Sequence, residues 1–437
     1  MKKKIAIIGA GISGLCLAYF LERRFGAEVD VRLFEARSCS GGWIQTTISP
    51  LGLFECGPRS LRMRKDDALS RLITELGIQD ACITAAPAAK NRFLAKDGAL
   101  FGVTLGRLLC SSYAPTFISG VCRDLFVPRG TDKEESVARF FTRRFGRAFT
   151  DAFINPLCAG IFAASPDLLS MPSAFTSLVE QEQRYRSLVF GALCSKPNPH
   201  KIISFEEGIH FLPQTIEKAL TSPIHYNTPV RQIVGRETGC CIVTDERSYE
   251  VDHAVCTASP GLLCELFCHD DPLARLLACF EAASVAVVSF GFLHGQSPEG
   301  FGFLCSEHEE KELLGIVFDS SVFPQHNRHC SIRLSVMMGG TRSKNSCFET
   351  EEQLVKKARS FVEKYLGIAT VPDAVFVHRL KNAIGLYSPG FQDRVQVLQA
   401  LAQKRSLSFL GSAFSGISVP DCIQSAFRLS EQLLYKN

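Results

Sequence analysis

The sequence holds no pair of cysteines at C-x-x-C spacing, no internal repeat and no low-complexity segment. A zinc-ribbon framework, a solenoid and a disordered tail are therefore excluded as readings. It also lacks an uninterrupted apolar run of the roughly 18–20 residues that span a bilayer. The longest candidates are 283–293, which reads as a strand, and 99–126, which Arg107 and Pro115 interrupt. The protein is expected to be cytoplasmic, or bound peripherally to one face of a membrane. The formal charge is only +4 over 437 residues, so nothing points to nucleic acid as a partner. Eighteen cysteines are scattered through the chain. In so long a chain they read as reduced thiols used as small core residues. Cys264, Cys268 and His269 form the nearest approach to a ligand cluster, and no metal site is expected.

What is present is an ordinary globular composition, 46% apolar and 21% charged, long enough for two or three domains. Lys2 to Lys4 followed by an apolar run mimics a signal peptide, but the run carries glycines at a different spacing. Ile5-Ala6-Ile7-Ile8 has the pattern of a buried parallel strand, and Gly9-x-Gly11-x-x-Gly14 follows it. In this fingerprint Gly9 makes the tight turn, Gly11 lets the backbone approach a pyrophosphate, and Gly14 lets the next helix pack. Ile12 to Phe25 has helical spacing, and its N-terminus would face the phosphates. Asp30 to Phe34 reads as the second strand. Glu35 ends it, 21 residues after Gly14, where a carboxylate can accept both hydroxyls of a ribose. Together these features predict an ADP-ribosyl site.

Further along, "FECGPRSLR" breaks at Gly57-Pro58 and places Arg59 just after the turn. "AAKNRFLAKDGALFG" reads as a hairpin turning at Lys96-Asp97-Gly98, and Ser136 to Phe149 as a basic amphipathic helix carrying Arg139, Arg143, Arg144 and Arg147. A solvated face is the simplest reading of those arginines; attraction to anionic lipid is the other. Short strands are predicted at 230–234, 240–244, 248–251 and 254–257, and a second sheet from 283–293, 315–318 and 331–338. A helix is predicted over 349–366, a last buried strand at 408–411 and a helix from about Pro420. Lys196-Pro197-Asn198-Pro199 looks like a linker.

Gly41-Gly42-Trp43 in "EARSCSGGWIQT" resembles the FAD-binding extension of the flavin amine oxidase and porphyrinogen oxidase superfamily. "GGWIQT", "FECGPRSLR", "KNRFL", "PLCAGIFAASPDLLSM", "GFGFL", "LGIVFDS", "VMMGG" and "LSFLGSAFSGISVPDCIQSAF", in that order, resemble the protoporphyrinogen and coproporphyrinogen oxidase family nearly end to end. The resemblance implies an α/β fold: a Rossmann-like FAD domain (1–89, 200–264 and 378–437), an inserted helical, membrane-associating domain (90–199) and a mixed-sheet substrate domain (265–377). It implies FAD as cofactor, held by Gly9, Gly11, Gly14, Glu35, Gly42, Trp43, Gly57, Arg59, Val230, Ser418 and Val419. The substrate would meet Arg92, as a propionate anchor, and Gly160, Leu304, Val317 and Met337. Read without the resemblance, the last three are core residues and Arg92 is a surface arginine.

The activity implied is six-electron oxidation of protoporphyrinogen IX in three rounds, with FAD as hydride acceptor, oxygen as final acceptor and no obligatory side-chain acid or base. Handover of the product to a chelatase belongs to the same implication. Coproporphyrinogen III oxidation is the first alternative; a flavin amine or carotenoid oxidoreductase and a flavoprotein without turnover follow. Ser412 stands where several members of the wider group carry an acid.

Overall fold

The computed structural model describes residues 2–195 and 198–433; Lys196 and Pro197 of the expected linker lie outside the described residues. Five parallel strands form the first sheet, in the order Ile224–His225, Val29–Phe34, Lys3–Ile8, His253–Cys256 and Leu407–Phe409. The central strand is apolar because both of its faces are covered: Ile5, Ala6 and Ile7 have no solvent exposure. Helix Ile12–Phe25 follows it directly, and helix Val419–Gln432 packs against that helix. Val230–Gly235, Cys240–Thr244 and Ser248–Val251 form the antiparallel meander that their short alternating runs predict.

The second large sheet has seven strands, in the order Ala374–Gly385, Ala282–Phe292, Ile332–Gly339, Leu313–Val317, Gly302–Leu304, Arg92–Lys96 and Ala99–Gly102. All its pairings are antiparallel except that of Gly302–Leu304 with Arg92–Lys96, so the sheet is mixed. Helix Glu351–Leu366 packs beside this sheet, started by a reciprocal Thr350–Gln353 capping box and stopped by Gly367 in the left-handed region. The hairpin at 92–102 turns at Asp97 and Gly98, both with positive φ, as its sequence predicts. It joins the seven-stranded sheet although it opens the segment expected to be helical, and strand Ala374–Gly385 runs across position 377/378. The reason is long-range pairing, Arg92 with Gly302 and Val287 with His378, which spacing along the chain does not encode.

Between Leu105 and Cys194 the chain is helical apart from short connections. One expectation in this part is corrected. Helix Val137–Phe145 ends at Gly146, whose φ is +90°, and its arginines form no free basic face. Arg144 is fully buried, paired with Asp124 and with Glu182 at 2.5 Å. Arg143 pairs with Glu135 and Glu182, Arg139 with Asp132, and Arg147 with Asp151. Asp124 and Glu182 come from other helices, so local amphipathicity hid them, whereas Asp132, Glu135 and Asp151 lie close in sequence. Among the described residues no helix is long and apolar enough to cross a membrane. The cysteines are all free, and burial pushes the thiols of Cys158, Cys240 and Cys305 up to about 12, which marks them as packing groups.

Candidate flavin and substrate site

Two of the three fingerprint glycines, Gly9 and Gly14, are packed too tightly for side chains. A Cβ on Gly14 would stand 2.1 Å from the Gly9 carbonyl oxygen, and Gly9 itself has φ +107°. The second glycine loop closes on the first: the Gly41 N–H donates to the Ala10 carbonyl at 2.9 Å, and a Cβ on Gly42 would lie 3.2 Å from Gly11 Cα. Two backbone loops without side chains therefore meet at the N-terminus of helix Ile12–Phe25, which has no side-chain cap. Such a cradle can hold a diphosphate.

Glu35 is buried at the end of its strand and accepts from the Ala10 N–H at 2.8 Å and the Arg37 N–H at 2.9 Å. Its own carbonyl accepts from the Thr228 N–H, which brings Val230 to the same end of the sheet. Trp43 is half-buried with the Arg37 guanidinium over its ring. A Cβ on Gly57 would stand 2.3 Å from the Trp43 carbonyl oxygen, so the second loop leads by direct contact to the Gly57-Pro58-Arg59 turn.

That turn opens onto a cleft of about 1410 Å³. Gly57, Arg59, Ser418 and Val419 line it, and so do Arg92, Gly160, Leu304, Val317 and Met337. Gly9, Gly11, Gly14, Glu35, Gly42, Trp43 and Val230 do not line the cleft. The core reading of the apolar three is decided by their exposure. Leu304, Val317 and Met337 are half-buried positions in strands whose other residues are buried, so they present their side chains to the cleft. Arg92 lies at the rim, its guanidinium 5.3 Å from the centre of the Phe301 ring. The surrounding wall and the Arg62 charge push its pKa below the ordinary guanidinium value.

Arg59 is paired with Asp319 at 3.1 Å, and its Nη2 is buried without a hydrogen-bond partner in the protein. A buried guanidinium donor left unpaired is costly, and an acceptor brought by a cofactor or substrate would relieve it. The cradle and this donor together fit FAD. Asp421 does not substitute for the missing acid at Ser412. It accepts from the Ser418 N–H and hydroxyl and closes the capping box of helix Val419–Gln432.

Three further features of the cleft were not read from the sequence. Tyr387 and Phe391 stack at 4.2 Å on its wall, and the Tyr387 hydroxyl bridges the Gly416 N–H and the Ser412 carbonyl, fixing the turn before Ser418. Their i, i+4 spacing in "YSPGF" was an available signal. Phe153 and Ile154 reach the cleft from a π-helical turn at Thr150–Ile154. Arg62, Arg64 and Lys90 join Arg92 at the rim, and among the described residues no carboxylate lies at ion-pair distance from any of them.

Residues 12–434 match the model of the family described as flavin-containing amine oxidoreductase. The chain belongs to that family. It is an FAD-dependent oxidoreductase, with a Rossmann-like cofactor domain. Within the family it is 33% identical over 475 residues to the protoporphyrinogen oxidase of Bos taurus, covering 99% of both chains. It is 26% identical to the coproporphyrinogen III oxidase of Bacillus subtilis, covering 99% of this chain and 98% of that one. Among solved structures, one from Exiguobacterium sp., described as a candidate protoporphyrinogen oxidase, superposes over 100% of both chains with a TM-score of 0.89 at 23% identity. The cyclohexylamine oxidase of Brevibacterium oxydans has the same fold, with a TM-score of 0.75 at 16% identity over 99% of both chains. The full-length similarity to porphyrinogen oxidases agrees with the resemblance drawn from the motifs.

Proposed function

We propose that this flavoenzyme oxidises protoporphyrinogen IX to protoporphyrin IX in haem synthesis, with oxygen as electron acceptor. The observation that carries the reading is the wall of the cleft. Arg92, Gly160, Leu304, Val317 and Met337 are far apart in sequence, yet they border one apolar space with cations at its rim. At about 1410 Å³ it exceeds the ~300–1000 Å³ of an ordinary small-ligand pocket. That suits a flat macrocycle lying beside a cofactor ring. FAD supplies hydride acceptance when bound. The chain supplies the rest: Leu304, Val317 and Met337 exclude water from the macrocycle, and Arg92 anchors a propionate. No side chain is assigned as an acid or base.

Coproporphyrinogen III is the second reading, favoured by one feature. Arg62, Arg64 and Lys90 add positive charge beside Arg92 that outnumbers the Asp67 and Asp421 carboxylates on the same lining, and burial followed by the charges of Arg62, Arg64 and Arg92 lowers the pKa of His200. A substrate with four propionates would gain more from that rim than one with two.

Anaerobic mixing of the FAD-loaded protein with each porphyrinogen, followed at the flavin band and then by porphyrin fluorescence once oxygen is admitted, tests both readings. Bleaching followed by fluorescence supports the function, and the faster substrate decides between the two. No bleaching by either, with oxidation of a polyamine instead, would replace this reading with an amine oxidase.

Exposed Leu105, Leu109, Phe126 and Leu193 on the helical segment support peripheral contact with one face of a membrane, and delivery of the product to a chelatase belongs to the same reading. Co-sedimentation with liposomes tests the contact.

A further inference from the structure

Arg59 stands where two parts of the fold meet. Its backbone follows strand Gly52–Glu55 through the turn that abuts Trp43. Its partner Asp319 begins the turn after strand Leu313–Val317 of the seven-stranded sheet. The Asp319 carboxylate is held at both oxygens. Oδ1 accepts from Arg59 Nη1 at 3.1 Å, and Oδ2 accepts from the Ser335 hydroxyl at 2.6 Å. Ser335 in turn meets the Ser289 hydroxyl at 3.0 Å on the neighbouring strand. The paired side chains are only 10% and 13% exposed. The sheet thus fixes the carboxylate and the carboxylate fixes the guanidinium, leaving Nη2 as the buried donor without a partner.

No other ionisable group around the pair is hydrogen-bonded to Arg59 among the described residues. Arg333 is buried and satisfied by neutral acceptors: the carbonyls of Leu53, Asp319 and Phe323 and the Asn327 side chain. His378 has its pKa lowered by burial and by Arg59, and His326 is pushed down to about 4 by burial. Glu55 is held by the Ile209 N–H and the Thr46 hydroxyl, and burial pushes its pKa up to about 7. Asp319 is therefore the carboxylate in direct contact with Arg59.

We propose that Asp319 is a positioning residue for the cofactor: it fixes the Arg59 cation at the flavin end of the cleft, partly offsets its charge, and so sets how strongly the bound FAD favours its reduced form. A fixed cation beside the ring stabilises the negative charge that reduction adds, and a carboxylate at contact distance weakens that effect. The proposal rests on FAD as cofactor and not on the identity of the substrate.

The test is the two-electron midpoint potential of the FAD-loaded protein, measured by dye-coupled anaerobic titration, beside its thermal midpoint. Asp319→Asn keeps the shape and removes the charge. Its potential rises, with about a tenfold gain in preference for reduced over oxidised FAD, about 30 mV for two electrons. Arg59→Met alone removes the cation and moves the potential the opposite way, lowering the preference for reduced FAD. An unchanged potential in Asp319→Asn with only a lower thermal midpoint would overturn the proposal, as would a potential that stays or rises in Arg59→Met. If Asp319→Asn does not retain FAD, Asp319→Glu carries the test. Retention of FAD with a near-native potential supports the proposal, and loss of FAD there as well overturns it.

Discussion

Gly160 lies so close to Leu304 across the cleft wall that a Cβ built on the glycine would stand 2.4 Å from Leu304 Cδ2. Gly160 belongs to helix Asn155–Phe162 and Leu304 to strand Gly302–Leu304, so the contact joins the helical segment to the seven-stranded sheet. The atom in the way is the tip of a side chain that can swing, and the open direction is the cleft. Gly160→Val should therefore push Leu304 into the substrate space rather than unfold the protein. We expect kcat/KM for the porphyrinogen to fall about tenfold, with FAD content and thermal midpoint close to wild type. Adding Leu304→Ala should restore much of the loss, which a double-mutant cycle in steady-state kinetics measures.

Arg92 makes a second prediction. It sits at the start of its strand, paired with Gly302, and has no carboxylate at ion-pair distance among the described residues. A charge-assisted bond from it to a propionate is worth about 1.5–3 kcal/mol, so Arg92→Ala should lower kcat/KM by roughly 10- to 100-fold, mainly through KM. The difference between wild type and variant should vanish when the substrate propionates are esterified. A loss that persists with the ester would assign Arg92 to the wall and not to the anchor.

The buried ion pairs of the helical segment predict a stability effect without a catalytic one. Arg144 has no solvent exposure, and neither does Asp124; Glu182 is nearly as buried. Asp124 also accepts from the Ser187 hydroxyl and the Val189 N–H, so the cluster ties four separate helices. Arg144→Met leaves the buried Asp124 without its cation and Glu182 with Arg143 alone, and should cost about 3–5 kcal/mol. Arg139→Met, on the same helix but largely exposed, should change stability by less than about 1 kcal/mol. Thermal melts of the two variants check the contrast.

The parts of this molecule that are legible in sequence are those whose cause is local. The strand, glycine turn, helix and acid of residues 5–35 lie within one βα unit, and each residue type has a steric or electrostatic reason to be there. Strand character over 92–102 was equally legible from its alternation and its Asp97-Gly98 turn. Its sheet was not, because the choice depends on Gly302, some two hundred residues away. Leu304, Val317 and Met337 could not be told from core by periodicity. Only the similarity to a family singled them out, and only their exposure within otherwise buried strands separates them from their neighbours. Arg144 is the opposite case: a helix rich in arginine reads as a wet surface, and nothing near it in sequence announces Asp124 and Glu182. Asp319 stood inside a recognised motif, yet its link to Arg59 appears only when the two strands that carry them are brought together.

Glu55 carries the last prediction, which concerns pH. Its carboxyl is buried beneath the cleft, and burial raises its pKa from the ordinary 4.5 to about 7 against the opposing effect of bonds from Ile209 N–H, Thr46 hydroxyl and the Arg59 charge. The folded value lies above the unfolded one, so folding favours the protonated form. The stability this contributes is full below about pH 4.5 and is lost as pH rises through 7. The window corresponds to at most about 3 kcal/mol. Glu55→Gln keeps an acceptor oxygen and cannot ionise, so it should remove this slope. Its thermal midpoint should match or fall slightly below wild type at pH 5.5 and exceed it at pH 8.5. The Arg59 charge sets the direction of a further control. Arg59→Met removes a cation that favours ionised Glu55, so the downward slope should keep its onset near pH 4.5 and extend to higher pH than in wild type. A wild-type slope unchanged by Glu55→Gln would assign the pH dependence to another group.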